Sequence, residues 1–421
     1  MILTPHRGRW MAVLVCCLLA LAAVGAPPES SAPSNLPKGG NSPTDSVGVK
    51  ETQENSNKVA GMDSVEFSLL TCQPHDEIYS LYGHTAIRFH DLRKGGIDVA
   101  FNYGVFDFKK PFFGLRFVFG LTDYELGAYP YRLFQEEYRR FGSMVTEQVL
   151  NLTDAEKEVL QQALANNLQP ENRIYRYNYF YNNCTTKARD IIEQSIHGKL
   201  QYEPKEDYAP SYREMVHEMT QNNPWSRFGN DLLLGIKADS KTNMRQQEFL
   251  PYNLMYDFDH AQIYLNGEYR PLVKERRIAV PAGVQMMKQG FPLTPMQCMI
   301  IFLAIGLLIF LVEWKKRIAF VIWDVLLMLI TGIIGIGLFL MLFSQHPTVS
   351  LNLQFILLNP LPWFFLWTVI KGKNTRYWHI TFALCVLFLI GSLFQHYAEG
   401  IWSLALCLLL QCILHTNRVR Q

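Results

Sequence analysis

Apolar and polar positions follow two different rhythms along the chain. Up to about residue 290 the apolar side chains recur at short periods, and beyond it they run in long, nearly unbroken blocks. In the first part "VEFSLLTC" (65–72) is an apolar run of strand length, and the alternating, β-rich residues Thr85 to Phe89 of "GHTAIRFHD" predict a strand that begins at His84. "KGG" at 94–96 makes a turn, and "IDVAFNYGVFDF" returns as the other half of a hairpin. Between the first two strands "HDEIYSLYG" reads as a short helix or turn. A helix is predicted around 130–141 and a strand in "SMVTEQVLNL". "TDAEKEVLQQALANNL" is a further helix, with Thr153 and Glu156 as a capping box and Val159, Leu160, Ala163 and Leu164 on one face. This mixture gives an α+β domain.

In the second part five apolar segments, at 295–313, 318–343, 351–370, 377–395 and 399–415, each approach the roughly 20 residues a helix needs to cross a bilayer. They predict a five-helix transmembrane region over 291–421. "EWKKR" (313–317), "KGKNTR" (371–376) and the tail "HTNRVRQ" carry Lys and Arg, whereas "FSQHPTVSLN" and "QHYAEG" carry neither. Alternate connections are therefore cytoplasmic, and everything before the first span belongs outside the cytoplasm. Residues 1–26 point the same way: basic His6, Arg7 and Arg9, an apolar core from Met11 to Val24, and small residues before Ala26 read as a secretory signal. Residues 27–61, rich in Ser, Pro, Asn and Gly, hold too little apolar surface to fold and read as a disordered tether. An exported domain over 62–290 remains.

A net charge of +2 with evenly mixed signs excludes nucleic acid as a partner. No CxxC or other metal-ligand spacing occurs, so neither a metal nor another cofactor is expected. Beyond the leader the cysteines are Cys72 and Cys184 in the exported domain and Cys298, Cys385, Cys407 and Cys412 in or beside the apolar segments, where they read as small packing residues. In "YFYNNCTTKARDIIEQ" the capping residues Asn182 and Asn183 precede Cys184, and Cys184, Ala188, Ile191, Ile192 and Ser195 recur at helical spacing. Cys184 thus falls in the first turn of a core-facing helix. The helix N-terminus carries about half a positive charge, which favours thiolate over thiol. A nucleophile also needs a base, and His84, behind Gly83 at a strand edge, is placed to be one. From the residues alone Cys184 is a packing residue, half of a disulfide with Cys72, or a nucleophile.

"LLTCQPHDEIYSLYGHTAIRF", "FNYGVFDF", "LNLT", "PENRIYRYNYFYNNCTTKARD" and "LPYNLM", in this order, resemble the Lnb family of lipoprotein N-acyltransferases, closely over about 65–275. The resemblance implies a circularly permuted papain-like domain of the NlpC and lecithin:retinol acyltransferase kind. It further implies a place in the bacterial inner membrane with that domain in the periplasm, a membrane phospholipid as acyl donor and diacylated lipoproteins as acceptors. Carried over by motif, Cys184 is the nucleophile and His84 the general base. A polar residue on the neighbouring strand orients the histidine in permuted relatives; a hairpin turning near Gly95 puts Asn102 roughly opposite His84, with Asp107 the second choice. Arg88 and Asp107 are candidate substrate contacts, Arg88 for a phosphate headgroup or, alternatively, as a structural ion pair. The alternative function on the same scaffold is a papain-like cysteine hydrolase acting on cell-wall peptides.

Overall fold

Residue patterns in the first part become strands where they alternate or run continuously apolar. The computed structural model describes residues 61–75, 80–106, 111–112, 116–117, 119–285, 290–372 and 376–418. The predicted leader, the predicted tether up to residue 60, and Asp107 lie outside them. Seven strands form one antiparallel sheet in the order β10-β5-β1-β2-β3-β4-β6. They are β1 (Val65–Cys72), β2 (His84–Asp91), β3 (Asp98–Val105), β4 (Asp123–Pro130), β5 (Val145–Leu150), β6 (Ile174–Arg176) and β10 (Val273–Val280). Three short strands, β7 (Lys199–Gln201), β8 (Gln262–Leu265) and β9 (Glu268–Pro271), make a second sheet. β1 lies mid-sheet and is covered on both faces, which is why its sequence is continuously apolar rather than alternating.

One face of the large sheet carries helices α2 (Asp154–Asn167), α3 (Cys184–Gln194) and α6 (Pro251–His260), whose Leu160, Leu164, Ile192 and Phe258 bury against Phe67, Leu69 and Ile87. α2 starts at the Thr153–Glu156 capping box read in the sequence. The other face is covered by α1 (Tyr131–Phe141), whose Tyr131, Phe134 and Tyr138 pack on Leu70, Cys72, Ala86 and Ala100. β4, the second sheet, and helices α4 (Tyr212–Met219) and α5 (Pro224–Leu233) had no matching expectation in the sequence.

The C-terminal part is helical: α7 (Pro295–Lys316), α8 (Val321–Met341), α9 (Leu361–Ile370), α10 (Arg376–Gly391) and α11 (Trp402–Arg418). Among the described residues three stretches, not the expected five, are long and apolar enough to cross a membrane: Pro295–Lys316, Val321–Met341 and Leu353–Ile370. α10 has 16 residues, about 24 Å of rise against a hydrocarbon core of about 30 Å. Residues 392–401, counted in the sequence as span and loop, fold back as a turn instead. There the Tyr397 hydroxyl donates to the Phe388 carbonyl (3.0 Å), the Leu353 N–H to Gln395 Oε1 (2.8 Å), and the Ala398 N–H to Gln354 Oε1 (3.0 Å).

Residues 61–421 form one compact unit. The α4–α5 region meets the connections between the membrane helices largely through main-chain groups. Gly235 N–H donates to the Thr348 carbonyl (2.8 Å) and Ile236 N–H to the Leu351 carbonyl (2.9 Å). Gln354 Nε2 donates to the Asp231 carbonyl (2.7 Å), Asn352 Nδ2 to the Leu232 carbonyl (2.8 Å) and Gln395 Nε2 to the Leu234 carbonyl (3.1 Å). Phe180, Tyr212, Met215, Leu234 and Phe249 share one apolar cluster with Met341 and Val349.

Candidate active site

Asn183 leaves the helical conformation and caps α3, its side-chain oxygen accepting from the Thr185 (3.0 Å) and Thr186 (2.9 Å) N–H groups. Its amide nitrogen donates to the carbonyls of Tyr179 (3.0 Å) and Phe249 (2.9 Å), so the cap is fixed from two sides. Cys184 follows as the first residue of the helix, half-buried. Because the cap takes the next two N–H groups, the Cys184 N–H is the donor of this turn that is left beside the sulfur. A hydroxyl pair, Thr85 Oγ1 and Thr185 Oγ1 at 3.1 Å, ties α3 to β2 behind the cysteine.

His84 opens β2 directly after Gly83, whose φ of +76° presses it against the Cys72 carbonyl at a spacing no side chain would permit. The imidazole hydrogen-bonds through Nε2 to Asn102 Oδ1 on β3. Nε2–H donates in that bond, which leaves Nδ1 for the sulfur. The β2–β3 register pairs Ile87 with Phe101 and Arg88 with Ala100. Continued along the strands, it sets Gly104 across from His84 and Asn102 two positions away on the same face, a diagonal rather than an opposite neighbour.

Gly104 holds φ at +96° within an irregularity of the β3–β4 pairing between Tyr103 and Val105. A Cβ built there would stand 3.7 Å from Cys184 Cβ and 4.0 Å from both His84 Cε1 and Tyr124 Cδ2. The missing side chain leaves room above the sulfur and the imidazole. Tyr124 stacks on Phe106 (centroids 4.8 Å) and on Tyr177 (4.0 Å), forming an aromatic wall beside this space.

Burial by itself would push the Cys184 thiol up. The charge and hydrogen bond of His84, the Thr85 N–H and the Thr185 hydroxyl outweigh it and bring the thiol down to about 7. For His84 burial works against protonation, but the Cys184 sulfur, the Asn102 hydrogen bond and Glu137 together raise its pKa. The two shifts describe one coupled thiolate–imidazolium pair. Cys72, which pairs with His84 across β1–β2, behaves oppositely: burial pushes its thiol far up. Cys72 and Cys184 are both free thiols, so the disulfide left open by the sequence does not form.

Of the sequence-predicted residues, the structure brings Cys184, His84 and Asn102 together. Asp107 is outside the described residues. Arg88 takes its structural alternative. Nε and Nη2 donate to Asp98 (2.8 Å each) and Nη1 to Glu147 (3.0 Å), and the guanidinium lies 3.7 Å over the Tyr131 ring. All three nitrogens are engaged inside the sheet. Arg88→Ala is expected to cost about 3 kcal/mol or more of stability, because two carboxylates lose their buried partner. Thermal unfolding in detergent measures this, and the folded fraction should still alkylate at Cys184. His346, in the connection after α8, lies buried with its ring 6.2 Å from that of Phe117. Sequence reading passed over Gly104 and Tyr124; the lone glycine inside a predicted strand was the available signal of a bulge.

A sheet-rich mixed domain with an activated thiol, joined to membrane-length helices, defines a membrane-anchored, enzyme-like protein. Residues 52–218 match the Lnb N-terminal periplasmic domain and residues 286–421 the Lnb transmembrane domain, so the chain belongs to the Lnb family and its N-terminal domain is periplasmic. No curated protein and no solved structure matches it.

Proposed function

We propose that this protein is a lipoprotein N-acyltransferase of the bacterial inner membrane, with residues 62–290 as its periplasmic catalytic part and 291–421 passing through the bilayer more than once. The observation that carries the reading is a thiol brought to about 7 by its pairing with His84, on a domain bonded to membrane helices. His84 on a hairpin strand ahead of Cys184 on a helix is the chain order of a permuted papain-like site.

In the first half-reaction the Cys184 thiolate attacks the ester carbonyl of a membrane phospholipid. The Cys184 N–H and the helix dipole steady the oxyanion. On collapse the C–O bond breaks, the His84 imidazolium protonates the departing lyso-lipid alkoxide, and the acyl group stays as a thioester. In the second half the neutral α-amine of a diacylglyceryl-cysteine attacks the thioester and the C–S bond breaks. His84 takes the amine proton as the amide forms, and the cysteine returns as thiolate. Asn102 holds the imidazole through both halves.

A cell-wall hydrolase would use the same pair, but it gains little from a site bonded to membrane helices. Purified full-length protein given phospholipid alone should acquire a hydroxylamine-labile acyl group on Cys184. A diacylated lipopeptide with a free N-terminal amine should discharge it into amide, and the same lipopeptide with a blocked amine should not. Cleavage of peptidoglycan peptides without any lipid-derived adduct sinks the transferase reading in favour of the hydrolase.

A further inference from the structure

Phe117, Phe119 and Gly120, shortly before Tyr124 in the chain, meet the membrane part. Phe112 is 76% and Phe117 40% exposed. The Arg116 N–H donates to the Phe112 carbonyl (2.9 Å), which holds Phe112 close to Phe117. Phe117, Phe119 and Gly120 are pinned to the connection after α8. Gln345 N–H donates to the Phe119 carbonyl (3.0 Å), the Phe117 and His346 rings are 6.2 Å apart, and a Cβ on Gly120 would lie 3.3 Å from His346 Nε2. At the same end of α8, Phe343 is 64% exposed. Large apolar side chains in such numbers on a solvated surface are costly, whereas at the level where a membrane helix ends they meet lipid.

The path inward is short. Gly120 and Tyr124 are four residues apart, at most about 14 Å of chain. Tyr124 flanks the Gly104 space, 4.0 Å from where a Cβ would stand, and that space opens on Cys184 Cβ at 3.7 Å. Phe106 and Tyr177 extend the apolar wall on either side of Tyr124.

We propose that Phe112 and Phe117 form a lip set into the outer leaflet, and that the Phe106–Tyr124–Tyr177 wall and the Gly104 space lead an acyl chain of a leaflet phospholipid from this lip to Cys184. The proposal rests on the acyl-transfer reading above and adds the route by which the donor arrives. Its occupant is a diacyl phospholipid drawn from the bilayer; a soluble ester bypasses the lip.

The test uses full-length protein in vesicles of phosphatidylethanolamine and phosphatidylglycerol, and separately in detergent with p-nitrophenyl butyrate, with the Cys184 adduct read by mass spectrometry. The double variant Phe112→Asp/Phe117→Asp should lose roughly 10-fold or more of the adduct formed from vesicle lipid, with its butyryl adduct reduced by less than about 2-fold. Phe112→Leu/Phe117→Leu should retain both. Equal loss of both adducts in the aspartate variant, or loss of neither, overturns the lip. Wild-type protein that accepts butyrate but no vesicle lipid overturns the lip alone, and wild-type protein that accepts neither donor overturns the acyl-transfer reading along with it.

Discussion

Replacing Cys184 by serine should leave a protein that enters the membrane in normal amounts and forms no acyl adduct, a fall of at least about 1,000-fold. Serine fits the half-buried position at the head of α3, so folding is spared. What is lost is ionisation. His84, the Thr85 N–H and the Thr185 hydroxyl bring a thiol to about 7, but the same surroundings leave an alcohol protonated. The matched control is Cys72→Ala: the Cys72 thiol is driven up by burial and stays protonated at neutral pH, so adduct formation should persist. An acyl adduct on a stable Cys184→Ser protein would remove Cys184 from the nucleophile's role.

The second large effect is the pH profile of His84 variants. In the wild type the alkylation rate of Cys184 should rise through about pH 7, where the thiolate forms. Acyl transfer should rise with it and then decline at higher pH, as the imidazolium loses the proton that the leaving alkoxide needs. His84→Ala removes the principal influence opposing burial, so the alkylation midpoint should move above that of an ordinary thiol and transfer should fall by about 100- to 10,000-fold. Asn102→Ala should be milder and directional. Its hydrogen bond is one of the interactions that raise the His84 pKa, so losing it moves the descending limb to lower pH. A midpoint near 7 that survives in His84→Ala would assign the thiolate to the helix N-terminus alone.

Local rules made much of the site legible. Asn183 caps and Cys184 begins α3 because capping chemistry and helical spacing act over a few residues. His84 begins β2 because alternation sets in at Thr85. The sequence reading set Asn102 roughly opposite His84, and the two do meet; the β2–β3 register, continued from the Ile87–Phe101 pair, makes Asn102 the diagonal neighbour. Turn position alone does not set register to within two residues. Arg88 was ambiguous for a different reason: its partner Glu147 is 59 residues away on another strand, and nothing local announces that encounter. The membrane part misled by composition. Hydropathy counts apolar residues without seeing that Gln395, Tyr397 and Ala398 turn back to bond with the Leu353 N–H, the Phe388 carbonyl and Gln354, which shortens the last two helices.

The bonds between the α4–α5 region and the membrane connections run mostly to backbone carbonyls: Thr348 and Leu351 on one side, Asp231, Leu232 and Leu234 on the other. A carbonyl is the same in every residue. Substitutions accumulating at Thr348, Leu351 and Leu232 over generations would thus keep these bonds across the seam between the two halves, whereas Leu234 also packs its side chain with Met341 and Val349 and Asp231 pairs with buried Arg213. The heritable weak points are Gly235, where a Cβ would stand 2.1 Å from the Leu351 carbonyl oxygen, and the three amide side chains, Asn352, Gln354 and Gln395, that reach across the seam.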